Sequence, residues 1–192
     1  RALEEIGVPP TISLSFGGDI EEQAKAFHDL TALLILGIIL VYMVMASLFG
    51  NLRDPLIIMF SVPFAFSGVF YAFYLFHVTL GIISFMGIIM LLGIVVNNAI
   101  VLLDYTHLLQ KRGKNLFEAV TQAGQSRLRP VLMTTLTTFF GMLPMAISRS
   151  VGAEIWNPLG ITMLSGLLLS TLITLVLVPT IYYHLESRKQ KL

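Results

Sequence analysis

Between residues 55 and 103 the chain carries no Asp, Glu, Lys or Arg. A helix crosses a bilayer with roughly 20 apolar residues, so this run is too long for one crossing and suits two. His77-Val-Thr-Leu-Gly81 is the natural turn between them. Uncharged stretches at 30–52, 130–148 and 155–185 add three further crossings. The sequence therefore predicts an all-α membrane protein with five spans, at about 30–49, 55–76, 82–103, 130–148 and 158–182. Only 12% of residues are charged, against about 25% in soluble domains.

Charge asymmetry orients the spans. Arg53, Lys111, Arg112, Lys114, Arg127, Arg129, Arg188, Lys189 and Lys191 fall on one side, nine of the twelve basic residues; Arg1, Lys25 and Arg149 fall on the other. The richer side is expected to be cytoplasmic, which puts the N-terminus outside and the C-terminus, with the tail 186–192, inside. The cell inner membrane is the expected location.

Thr11-Ile-Ser-Leu-Ser-Phe16 alternates as a half-buried strand does, and Gly17-Gly18 ends it. Asp19 and Glu22 then fit a capping box for a helix that runs unbroken into the first span, roughly 45 Å at 1.5 Å per residue. A single strand cannot fold alone, so residues 1–29 read as the end of an external domain and its lead-in helix. The opening Arg1-Ala-Leu-Glu-Glu5 lacks an initiating methionine and the pattern of a signal peptide, and the expectation is a fragment of a longer protein. A second capping box, Asn115-Leu-Phe-Glu118, predicts a short helix over about 116–124 on the cytoplasmic face, either interfacial or a packed connector. Pro130 suits the first turn of the fourth span.

Several function classes are absent from the sequence. Zero cysteines remove disulfides and thiolate metal sites. No His-Glu-x-x-His, nucleophile elbow, phosphate loop or paired intramembrane aspartates point to an enzyme. The net charge of +1 does not gather on a soluble face, so nucleic acid is not an expected partner. No metal site or cofactor is expected.

The polar residues inside the spans carry the functional signal. Asn97 and Asn98 stand in the middle of the third span, where an amide is penalised unless something hydrogen-bonds to it. At 100° per residue Met90, Gly93, Asn97, Val101 and Asp104 share one face. Thr134, Thr138, Gly141 and Met145 share a face of the fourth span. Gly93 and Gly141 are expected to let neighbouring helices approach. Two readings fit the residues: interhelical hydrogen bonding, the commoner use of such amides and hydroxyls, and a polar path that handles ions or protons. Arg127 anchors topology on the first reading and serves the path on the second. Asp104, the acid seen nearest a span, sits at the cytoplasmic interface where solvation is easy, and a structural role is the simpler one.

These residues resemble a known family. Gly93-Ile-Val-Val-Asn-Asn-Ala-Ile-Val-Leu-Leu-Asp104 resembles the tenth membrane helix of resistance-nodulation-division (RND) efflux transporters. Arg127-Leu-Arg-Pro-Val-Leu-Met-Thr-Thr135 resembles the start of the eleventh. Glu154-Ile-Trp-Asn-Pro-Leu-Gly160 and Val176-Leu-Val-Pro-Thr180 resemble the entry and exit of the twelfth. The Asn-Asn-Ala-Ile form is closest to the hydrophobe/amphiphile branch. The resemblance implies helices eight to twelve of a proton-driven multidrug permease, a secondary transporter that works as a homotrimer in the inner membrane with lipid around it. It also implies a missing N-terminal half, and commonly a periplasmic adaptor and an outer-membrane channel. It assigns a proton relay to Asn97, Asn98, Thr134 and Arg127, with Asp104 and Thr138 nearby. Well-known drug pumps of the family carry a lysine at the position of Asn97, and an asparagine cannot exchange charge near neutral pH. RND-like secretion or lipid-handling proteins, and heavy-metal permeases, are the alternatives.

Overall fold

A computed structural model describes residues 19–150 and 152–189, with side chains left undescribed at Asp19, Arg188 and Lys189. The expected strand at 11–16, the Gly17-Gly18 break and the Asp19 cap lie outside what is described. The described residues form six helices: α1 (Asp19–Phe49), α2 (Arg53–Met59), α3 (Val62–Phe76), α4 (Ile82–Lys111), α5 (Leu116–Ile147) and α6 (Ala153–Lys189). Five segments are long and apolar enough to cross a membrane, α2 and α3 together making one of them. The fold class is thus an all-α, five-crossing membrane bundle.

Each boundary has a local cause. The Asn51 side-chain oxygen Oδ1 accepts from the backbone N–H groups of Arg53 and Asp54, at 3.1 and 2.9 Å, and starts α2. α2 stops at Met59, four residues before Pro63, whose ring would clash with that carbonyl and whose nitrogen has no proton to offer it. Ser61, fully buried at the break, donates its hydroxyl to the Ile58 carbonyl at 2.7 Å. The crossing expected at 55–76 is therefore two helices. α3 ends where His77 turns left-handed at φ 51°, and the N–H of Val78 reaches back to the Phe73 carbonyl.

The expected helix at 116–124 has no end of its own. Asn115 caps it through the Glu118 N–H at 3.0 Å, but the helix continues to Ile147 as α5. Pro130 consequently lies inside a helix instead of opening one. α4 and α5 are antiparallel neighbours joined by residues 112–115, where Gly113 takes φ +86°, a conformation that favours glycine.

α6 is the hub and packs against α3, α4 and α5. Lipid chains are as apolar as leucine, so helices in a bilayer associate through close contact and hydrogen bonds. The glycines report where contact is closest. A Cβ on Gly166 would overlap Leu91 of α4; one on Gly160 would lie 2.7 Å from the Ala146 nitrogen of α5. On the facing helices, a Cβ on Gly68 would lie 2.8 Å from the Leu169 Cβ, and one on Gly87 would lie 2.9 Å from Leu159. The Asn157 amide adds a hydrogen bond to the Ala146 carbonyl. Gly93 and Gly141, the glycines expected to allow close packing, meet nothing within 4 Å.

Replacing Gly166 by Val should overpack the α4–α6 contact, which typically costs about 1–3 kcal/mol. Gly93→Ala should be nearly neutral in this chain. Thermal midpoints of the detergent-solubilised chain, followed by Trp156 fluorescence, test this: equal midpoints for the two variants would refute the packing argument.

Candidate functional site: a polar groove between the fourth and fifth helices

α4 is apolar nearly all round, and its two asparagines sit where its packing stops. Val95, Ala99 and Leu102 are buried in the bundle. Met90, Gly93, Asn97 and Asp104 are exposed along the opposite side, and Asn98 is half-buried at the edge between the two. Across from them, the antiparallel run of α5 brings up its threonines. The result is a groove of about 510 Å³ lined by Gly93, Asn97, Asn98, Thr134, Thr135 and Thr138, with Ile94 and Leu167 as apolar wall.

The structure thus brings together five residues singled out from the sequence: Gly93, Asn97, Asn98, Thr134 and Thr138. Gly141 lies beyond the groove on α5. Arg127 lies outside it as well, on the α5 segment nearer the α4–α5 turn. Its guanidinium stacks 4.6 Å from the centre of the Tyr105 ring, a cation–π contact, and its Nε is buried without a hydrogen-bond partner among the described residues. Asp104 is exposed and does not line the groove.

Hydrogen bonding inside the groove is incomplete. Thr134 donates to the Val131 carbonyl at 2.9 Å, the habitual bond of a helical hydroxyl, and its oxygen still has acceptor capacity. No side-chain hydrogen bond of Asn97, Asn98 or Thr138 occurs among the described residues. Each asparagine amide can donate two hydrogen bonds and accept two, so the groove presents donors and acceptors but no formal charge. It can orient a carboxylate, a water or a proton-carrying group, and cannot itself take up a proton near neutral pH.

Two features escaped the sequence reading. Thr135, next to the expected Thr134, is buried and shares a hydrogen bond with Thr171 of α6 at 3.2 Å. The available signal was the spacing of Ser170, Thr171 and Thr174, three hydroxyls on adjoining turns of an uncharged span. The second is a buried acid on α2, packed against the C-terminal end of α4. Asp54, not Asp104, is the acid held inside the bundle: it is 6% exposed, accepts from Asn51 at 2.7 Å and lies 3.1 Å from His107 Nε2. The His107 ring stands between Phe49 and Tyr182, and Tyr182 donates to Gln110 at 2.9 Å. The pair ties α2, α4 and α6 together where the basic residues gather, and no local sequence pattern joins positions 54 and 107.

The described helices thus make a multi-pass membrane bundle with an uncharged polar groove on one side. The sequence matches the AcrB/AcrD/AcrF family over residues 1–186, and the chain belongs to that family, the RND efflux transporters, as part of their membrane portion. It is similar to multidrug resistance protein MdtC of Proteus mirabilis (strain HI4320), with 38% identity over 192 residues, covering 100% of this chain and 19% of that protein. MdtC of Yersinia enterocolitica (serotype O:8 / biotype 1B) is 37% identical with the same coverage. A crystal structure of a heavy metal efflux pump superposes with a TM-score of 0.79 and 32% identity, covering 97% of this chain and 18% of that one. The chain thus spans about a fifth of the length of the curated relatives it matches.

Removing the hydrogen-bond partner of a buried polar group costs about 1–3 kcal/mol; Asn51 still donates to Asp54, so the loss here should fall toward the low end. His107→Leu should lower the thermal midpoint more than Asp104→Asn, since Asp104 is exposed. The same unfolding assay reads it, and a larger loss from Asp104→Asn would overturn the assignment of the buried acid.

Proposed function

We propose that this chain belongs to a proton-driven RND permease that exports drugs or other hydrophobic and amphiphilic compounds, and that it contributes half of the proton relay. The observation that carries the reading is the groove itself: Asn97, Asn98, Thr134 and Thr138 converge on an open side of the bundle, and the amides have no hydrogen-bond partner among the described residues. Amides left so within a bilayer are penalised, so this side suits a helix from the rest of the polypeptide. Relatives five times longer supply the material for one.

The acid that takes the proton comes from that missing part. Asn97 and Asn98 donate to its carboxylate and change partner when it is protonated. Thr134 adds an oxygen on the far wall, and Arg127 holds the cytoplasmic end of α5 with its charge stacked on Tyr105. Gly93, open in this chain, becomes the point of closest approach for the incoming helix. The protein acts as a secondary transporter in the inner membrane, as a homotrimer, with a periplasmic adaptor and an outer-membrane channel. The 38% identity to a multidrug protein, against 32% to a heavy metal pump, supports organic substrates over metal ions.

Asn97→Leu in the full-length protein should abolish proton-driven efflux while expression and membrane insertion persist, and Thr134→Val should reduce it several-fold. Normal efflux from Asn97→Leu would sink the relay.

The positive-inside distribution supports an external N-terminus and a cytoplasmic C-terminus. Because this chain has no cysteine of its own, single-cysteine variants of it, in a full-length protein cleared of any other cysteine, report sidedness directly. Arg149→Cys should react with an impermeant maleimide on intact spheroplasts, and Lys114→Cys only after permeabilisation. The reverse pattern would invert the topology.

A further inference from the structure

Thr174 breaks the habit of its own helix. Along α6, Thr162 donates to the Pro158 carbonyl, Ser165 to Ile161, Ser170 to Leu167 and Thr180 to Val176. Hydroxyls in membrane helices ordinarily satisfy themselves this way. Thr174 is 4% exposed, and its Oγ1 has no partner among the described residues. The other buried side-chain atom in that state is Arg127 Nε.

Thr174 Oγ1 lies in a seam between α4, α5 and α6. Thr174 lines a small cavity of about 10 Å³ together with Asn98, Leu102, Val131, Ser170 and Thr171. That volume is close to the least that admits one water molecule. Asn98 lines this cavity and the open groove alike. The Thr135–Thr171 hydrogen bond joins α5 to α6 beside it. Arg127 lies one helical turn from Val131 on α5, and Tyr105, beneath its guanidinium, lies one turn from Leu102 on α4. The groove and the cavity thus meet at Asn98, and Arg127 and Tyr105 lie one turn beyond the cavity lining.

We infer that this seam binds a single buried water molecule, held by the Thr174 hydroxyl, with the Asn98 amide and the hydroxyls of Thr171 and Ser170 as its other partners. An apolar void of this size stays dry, whereas one with two to four polar partners hydrates. The partners here balance. Thr174 can donate and accept, the Ser170 oxygen can accept, the Asn98 amide can do both, and the Thr135–Thr171 pair uses only one of its two hydroxyl protons. α6 thereby becomes a third wall of the polar path, with Thr174 as a positioning residue. This last step rests on the relay proposed above; the water site does not.

The full-length protein in lipid nanodiscs, imaged by electron cryo-microscopy at a resolution that shows ordered waters, supplies the test. Density within hydrogen-bond distance of Thr174 Oγ1 is expected in the wild type, with its loss in Thr174→Val. A wild-type cavity without density, while waters are visible elsewhere in the membrane region, would overturn the site. In transport assays Thr174→Val should reduce proton-driven efflux several-fold, and Thr174→Ser, which keeps the hydroxyl, should restore it. Wild-type efflux from Thr174→Val, or an equal loss from both variants, would overturn the positioning role. Water density together with normal efflux from Asn97→Leu would leave the site standing and remove the relay. If neither Thr174 variant inserts, the wild-type density alone decides the site.

Discussion

Contact between α6 and its three neighbours is the constraint on which the rest of the structure depends. Water exclusion cannot draw helices together inside a bilayer, because lipid already surrounds them with hydrocarbon. Closure has to come from atoms that touch and from polar groups that pair. Gly160 and Gly166 let α6 meet Ala146 and Leu91, while Gly68 and Gly87 admit α6 side chains from the other side. Asn157 and the Thr135–Thr171 pair add hydrogen bonds along the same interface. With α6 seated, α4 and α5 have little choice of rotation. Asn97 is left on the open side, and Asn98 stands at the edge between that side and α6.

That rotation separates two kinds of polar residue. Most hydroxyls on α6 bond their own helix and act as packing. Asp54 is buried but solvated by Asn51 and paired with His107, which pins the basic end of the bundle. The asparagines of α4 are spared both fates. They face a groove that has room and no formal charge, which suits a carboxylate supplied by another helix better than a metal ion or a self-contained acid–base site.

Much of this was legible in the chain. Uncharged runs forecast the five crossings, because a charge in hydrocarbon is heavily penalised and its absence over 20 residues is rarely accidental. The asparagine segment and the threonines after Arg127 were marked as the polar centre, and the α4–α5 hairpin does bring them together. Gly93 and Gly141 stand beside the polar residues in sequence, and within this chain neither meets another helix within 4 Å. Pro130 looked like a helix start, but Asn115 had already begun the helix and a proline within a span can be accommodated.

By itself, then, the sequence determined which segments cross the membrane and which residues are polar within them, since both depend on local composition and helical period. Tertiary structure decided which sides of those helices meet. It buried Asp54 beside His107, because only the folded chain brings residue 107 to residue 54. It also set Thr174 apart from the other α6 hydroxyls. A helix's own periodicity cannot say which of its hydroxyls will bond back to a carbonyl and which will be aimed into a space made by two other helices.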